Sequence, residues 1–190
     1  MGRDKTNLRL GSRTLIERAW RAVDSVAEEI LVSVRGPVRH DFPGARPVPD
    51  RLELPGPLAG LDALLRAARF PALLLVGCDM PFLNPALLRH LATRIEGFEA
   101  VVPEHGGRLQ PLHAVYATSC RPALDRYVRD GGRSLVGLLE TLRFLRIPPA
   151  EIEPIDPEGL SFLNVNTPAD RALAERVLSS GLPRFEGPLS

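Results

Sequence analysis

Ala72-Leu73-Leu74-Leu75-Val76-Gly77-Cys78-Asp79-Met80-Pro81 is the stretch on which the fold turns. From Ala72 to Cys78 it is apolar on both faces and too short for an ordinary helix, the pattern of a strand at the centre of a parallel sheet. Pro81 ends the strand and leaves the Asp79 carboxylate at its tip. Upstream, Leu58 to Ala68 reads as a helix. Downstream, Asn84 supplies an N-cap and Pro85 a first helical position for a helix with Leu87, Leu88, Leu91 and Ile95 on one face. Helices on either side of a buried strand predict a layered α/β fold.

The rest of the chain extends that alternation. Thr14-Leu15-Ile16-Glu17 has capping-box spacing and opens an amphipathic helix. Ile30 to Val34 reads as a strand, followed by a loop from Arg35 to Pro57 punctuated by proline and glycine. Ala100-Val101-Val102, a Gly106-Gly107 turn and the extended run Pro111 to Ala117 come next. Helices are expected from Arg121 to Val128 and from Ser134 to Leu142, and strands at Phe144 to Ile147 and Phe162 to Val165. A closing helix starts at Thr167-Pro168-Ala169-Asp170 and runs through Leu178. The expected architecture is three-layer and Rossmann-like, a mostly parallel sheet with helices on both faces, with one domain over residues 1–180 and a disordered tail over 181–190.

Composition narrows the function. With 24 basic and 23 acidic residues in 190, the net charge is +1, which gives no footprint for nucleic acid or a membrane surface. No apolar run approaches the roughly 18 residues of a transmembrane helix, and the amino end is charged rather than signal-like. Two cysteines, Cys78 and Cys120, have no Cys-x-x-Cys spacing and fit a reducing compartment, so a cytoplasmic location is expected. There is no Gly-x-x-x-x-Gly-Lys-Ser/Thr phosphate loop and no Gly-x-Ser-x-Gly elbow.

In such folds chemistry gathers at the carboxyl ends of strands. Asp79 sits at such an end, where a carboxylate holds a hard cation or serves as a turn residue. Lys5, in Met1-Gly2-Arg3-Asp4-Lys5, is the only lysine among the 24 basic residues. It is either a chance terminal residue or a compact ammonium chosen over a planar guanidinium. Asp50 precedes Pro55-Gly56-Pro57-Leu58-Ala59-Gly60, a helix start whose small residues let the backbone approach a ligand. Gly106-Gly107-Arg108-Leu109-Gln110-Pro111 and Asn164-Val165-Asn166-Thr167-Pro168 border other strands in the same way.

Taken in order, these segments resemble the molybdenum cofactor guanylyltransferases, and they span nearly the whole chain. The resemblance implies a nucleotide-diphospho-sugar transferase-like α/β fold that joins GTP to molybdopterin carrying molybdenum and releases pyrophosphate. It implies that Asp79 holds Mg²⁺, that Lys5 is a second positive centre on the phosphates, and that Asp50 contacts the nucleotide. Arg108, Gln110, Asn164 and Asn166 become the candidates for the pterin side, and molybdoenzymes or their chaperones become candidate recipients. Relatives that transfer a cytidylyl group or use a sugar phosphate, and a non-catalytic cofactor-binding paralogue, are the alternatives. Two departures stand out. Where the family often places a nucleotide-contacting asparagine, this chain reads Ser33-Val34-Arg35. The family also has a first strand and a glycine-rich loop ahead of Met-Gly-x-Asp-Lys, so a chain starting at Met1 is expected to leave an edge of the Ala72 to Cys78 strand unpaired and to lack the phosphate cradle.

Overall fold

The structure is a computed structural model and describes residues 8–36 and 44–182. In chain order it contains a hairpin of β1 (Arg9–Leu10) and β2 (Arg13–Thr14), helix α1 (Leu15–Asp24), strands β3 (Ile30–Val34) and β4 (Ala45–Pro49), α2 (Leu58–Ala67) and β5 (Ala72–Val76). It continues with α3 (Pro85–Thr93), β6 (Ala100–His105), β7 (Arg108–Leu109), β8 (His113–Ala117), α4 (Arg121–Arg129), α5 (Leu135–Leu139), β9 (Phe144–Ile147), α6 (Pro149–Ile152) and α7 (Pro168–Ser179). The helix starts follow from their caps. Thr14 and Glu17 form a reciprocal box at α1, Thr167 and Asp170 form one at α7, and the Asn84 side chain accepts from Ala86 N at 2.9 Å ahead of Pro85. Among the described residues no helix is long and apolar enough to cross a membrane.

Alternate residues of the central strands feed cores on opposite faces of the sheet. Leu73 and Leu75, Ala100 and Val102, and Ala114 and Tyr116 pack into one apolar cluster with α2, α4 and α5. Val101, Val115 and Ile147 pack on the other face with Leu87 and Leu91 of α3, while Leu74 and Val76 meet Ala19 of α1. This period of two is what makes three layers.

The sheet is mixed. β8 lies between β5 and β6 and runs antiparallel to both, while β9 pairs with β6 in parallel. β5, β6 and β9 therefore share one direction and β8 opposes them. The reversal starts at Gly106 and Gly107, whose φ angles of 58° and 71° turn the chain back through β7 without a crossover helix.

Two sequence expectations need correction. The long loop from Arg35 contains a strand, β4, paired in parallel with β3 from Ile30↔Ala45 to Val34↔Pro49. Its prolines disguised it. Pro47 and Pro49 are two positions apart, so both missing N–H groups fall on the edge facing away from β3, where no ladder bond is lost. The strand expected at Phe162 to Val165 is instead a short 3-10 turn, Leu160–Phe162, followed by irregular chain. Buried side chains hold it: Ser161 N donates to Asp156 Oδ2 at 2.9 Å, and Asn84 N donates to Ser161 Oγ at 2.9 Å.

β3 and β4 form one sheet and β5 to β9 another, and no ladder joins β3 to β5 among the described residues. Between those two strands lies a slot with a cavity volume of about 420 Å³.

Candidate active site

Asp79 stands at the carboxyl tip of β5, as the sequence implies. Met80 is 2% exposed and anchors the turn among Ala19, Leu83 and Leu88. The backbone around Asp79 is tied on two sides, by Gly77 N to Leu112 O at 3.0 Å and by Val165 N to Asp79 O at 2.9 Å. A Cβ on residue 77 would sit 2.6 Å from Asp79 Oδ1, so glycine there is what lets the carboxylate lie back against its own strand. No ion pair engages Asp79 among the described residues.

Asp50 follows β4 and reaches the same end of the slot. Its backbone N donates to Val34 O at 3.0 Å, its Oδ1 accepts from Ser33 Oγ at 2.7 Å, and its Oδ2 lies 3.5 Å from Arg35 Nε. The Asp50 side chain is 10% exposed and that of Arg35 60%, so the hydroxyl does more to hold the carboxylate than the solvent-screened ion pair. Each carboxylate oxygen keeps acceptor capacity for a ligand. Gly60 of α2 explains the small residues in the Pro55 to Gly60 segment. A Cβ there would lie 2.7 Å from Ser33 Oγ, so glycine lets α2 close against the Ser33–Asp50 pair. Ser33 and Arg35 were not singled out from sequence as site residues, although their position is where the family resemblance departs.

Asp50 and Asp79, distant in sequence, thus line one cleft together with Gly56, Pro57 and Cys78. Two segments that carry pterin-side candidates are tied to the chain around Asp79. Val165, between Asn164 and Asn166, bonds Asp79, and Leu112, just past Gln110, bonds Gly77. Asn164 Nδ2 donates to Phe162 O at 3.2 Å, and Gln110 Nε2 donates to His105 O at 3.2 Å and Arg108 O at 3.3 Å, so both amides shape their loops. Arg108 and Asn166 are exposed, and none of the four lines the slot itself. Lys5 lies outside the described residues.

Behind the cleft is a buried polar group that sequence reasoning missed. His113, fully buried, approaches Ser161 Oγ with Nε2 at 3.5 Å and packs its ring on Phe162 at 4.8 Å between centroids. Burial pushes the His113 imidazole down to about 3, while burial raises the Asp156 carboxyl above its ordinary range. The group fixes the segment that leads to Asn164–Asn166.

No cluster of three or more His, Cys, Asp or Glu side chains is placed to hold a metal among the described residues. A lone strand-tip carboxylate still fits magnesium, which takes one or two carboxylates and completes its shell with water and substrate phosphate.

A sheet covered on both faces, with carboxylates at two strand ends around one cleft, defines an α/β protein of the nucleotide-handling class. The family model described as MobA-like NTP transferase domain matches residues 1–143. Over 181 residues the chain is 34% identical to a probable molybdenum cofactor guanylyltransferase of Pelotomaculum thermopropionicum, covering 92% of this chain and 87% of that one. A probable molybdenum cofactor guanylyltransferase of Chloroflexus aggregans is 35% identical, with 94% and 89% covered. Among solved structures, molybdopterin-guanine dinucleotide biosynthesis protein A from Archaeoglobus fulgidus superposes with a TM-score of 0.79 at 29% identity, covering 94% of this chain and 92% of that one. The 2-C-methyl-D-erythritol 4-phosphate cytidylyltransferase of Thermus thermophilus shares the fold, with a TM-score of 0.71 at 21% identity over 92% of this chain and 94% of that one. The chain belongs to the MobA-like NTP transferase family.

Proposed function

We propose that this protein transfers GMP from GTP to molybdopterin carrying molybdenum, releasing pyrophosphate. The observation that carries the reading is the convergence of Asp50 and Asp79 on one cleft, in a chain 34–35% identical to proteins named for that reaction. A phosphate oxygen of molybdopterin attacks the α-phosphorus of GTP, the bond to the bridging oxygen breaks, and pyrophosphate leaves with the electron pair. Little covalent chemistry falls to the protein, so positioning and charge neutralisation carry the rate.

Asp79 is the residue that would hold Mg²⁺, with room for its carboxylate left by Gly77 and its backbone held by Val165. Bound magnesium supplies charge neutralisation on the triphosphate and the departing pyrophosphate. Lys5 adds a compact cation to the same phosphates. Asp50, pre-aimed by Ser33, accepts hydrogen bonds from guanine N–H donors. Arg108, Gln110, Asn164 and Asn166 face the pterin substrate from the loops that border Asp79.

Pyrophosphate release with GTP, molybdenum-loaded molybdopterin and Mg²⁺ tests this directly. Asp79→Asn is expected to lower turnover by about two to three powers of ten, roughly 3 to 4 kcal/mol of barrier. Asp50→Ala is expected to raise the KM for GTP more than it lowers kcat. Turnover that persists after chelation of Mg²⁺, or that is as fast with CTP as with GTP, would overturn the assignment.

A further inference from the structure

The chain between Asp50 and α2 belongs to no strand or helix, yet Gly56 and Pro57 at its end line the cleft beside Asp50. Leu54 anchors its apolar side by packing against the main core. On the polar side, the hydrogen bonds that Arg51 to Gly56 make among the described residues all come from one side chain. Arg35 Nη2 donates to Leu54 O at 2.7 Å and, more weakly, to Gly56 O at 3.5 Å. The same guanidinium places Nε 3.5 Å from Asp50 Oδ2.

Three consecutive residues at the end of β3 thus hold Asp50 from three directions. Ser33 Oγ takes one carboxylate oxygen, Val34 O takes the backbone amide, and Arg35 lies beside the other oxygen. Only Arg35 goes on to reach the segment beyond. Its side chain is mostly exposed, so the ion pair adds little to folding. What the contacts supply is order: a planar fork that spans a carboxylate and two carbonyls fixes the segment before a ligand arrives, and the ligand no longer bears the cost of ordering it. A lysine ammonium has no such fork.

We propose that Arg35 is a positioning residue for the nucleotide, strapping Leu54–Gly56 to Asp50 so that the carboxylate and the Gly56–Pro57 wall meet GTP as one preformed surface. This role rests on the nucleotide reading of the cleft. Arg35 acts through these groups and not on the reacting atoms, so its loss weakens ground state and transition state alike and leaves the chemistry at Asp79 unchanged.

The test compares Arg35→Ala and Arg35→Lys with Arg89→Ala in the full chain. Arg89 Nη2 also straps a carbonyl, that of Ser25 at 2.8 Å, but neither residue lines the cleft. Arg35→Ala is expected to raise the KM for GTP about tenfold while kcat and the KM for molybdopterin stay within about twofold. Arg35→Lys should behave like Arg35→Ala, and millimolar guanidinium should lower the KM of Arg35→Ala again. Without nucleotide, amide exchange over residues 51–56 should quicken in Arg35→Ala and not in Arg89→Ala, with the urea midpoint unchanged in both. An unchanged KM for GTP would overturn the proposal, as would a KM, kcat and urea midpoint that deteriorate together. If the unsubstituted chain turns over no GTP, the assigned reaction fails instead, and exchange over residues 51–56 decides whether Arg35 holds the segment.

Discussion

β5 and β8 are hydrogen-bonded neighbours of five residues each, β5 wholly aliphatic and β8 carrying His113 and Tyr116, and they live in different surroundings. Four of the five β8 residues are buried and only Leu75 of β5 is. β8 has a strand on both sides and a helix layer on both faces, whereas β5 has β8 on one side and the slot on the other. A strand's sequence states the environment it is suited to, and the fold states how much of it is supplied. The difference also separates two duties, since the buried strand underpins the sheet and the half-open one carries Asp79 to the cleft.

The largest expected contrast is between the two cysteines, one just past each strand. Cys78 is exposed, while Cys120 is fully buried with its thiol pushed up by burial to about 12. Cys120 reacts only when the chain opens, which at a stability of about 5 kcal/mol slows it by more than three powers of ten relative to an accessible thiol. Mass-resolved alkylation of the native protein should label Cys78 alone. Comparable labelling of both would break the contrast.

Next in size is Tyr116→Ala in β8. Tyr116 is fully buried and donates to Pro111 O at 3.0 Å, so its truncation should cost about 3 to 5 kcal/mol in urea unfolding. Tyr116→Phe isolates the hydrogen bond at about 1 kcal/mol.

His113, also in β8, makes a pH prediction. In the unfolded chain an ordinary histidine binds a proton near pH 6.5, but buried His113 resists one until about pH 3. The unfolded state therefore holds more protons across that window, and stability falls as pH drops from 6.5 toward 3. The loss is about 2 kcal/mol between pH 7 and pH 5. Asp156, raised by burial, acts in the opposite sense and favours the folded state as acidification reaches its own range. His113→Gln should flatten the slope of stability against pH, whatever it does to stability itself. An unchanged slope would show that another group titrates.

The smallest effect is expected for Leu73→Ala in β5. Half-buried beside the slot, Leu73 should cost about 1 kcal/mol, well under a truncation of a fully buried leucine. A cost near that of Tyr116→Ala would erase the distinction between the strands.

Much of the fold was legible because its signals are local. Thr14 with Glu17, Thr167 with Asp170, and Asn84 with Pro85 declare their helix starts within four residues, and the run from Ala72 declares its strand. What escaped depends on partners far away. β4 looks like a proline-rich loop until β3 is beside it to show that its prolines face outward. Phe162 to Val165 looks like a strand until Asn84 and Asp156 claim the backbone and side chain of Ser161. The candidate site divides the same way. Asp79 was marked by the strand it ends and Asp50 by resemblance, while Ser33 and Arg35 acquire their roles only through the β3–β4 ladder that brings them to Asp50.

The order of pairing in the central sheet carries a consequence for how the chain is made. Among the described residues β5 finds its partner only at His113–Ala117, and β6 finds its parallel partner only at Phe144–Ile147. On a ribosome adding about 5 to 20 residues per second, β5 waits seconds for β8, and β6 waits again for β9. Through that interval the apolar residues of β5 lack the strand that covers them. Contacts this distant in sequence also slow refolding of the finished chain, because loop-closure entropy is lost before the pairing is gained. Synthesis past Ile147 is thus the earliest moment at which the strand leading to Asp79 is backed by β8, β6 and β9 together.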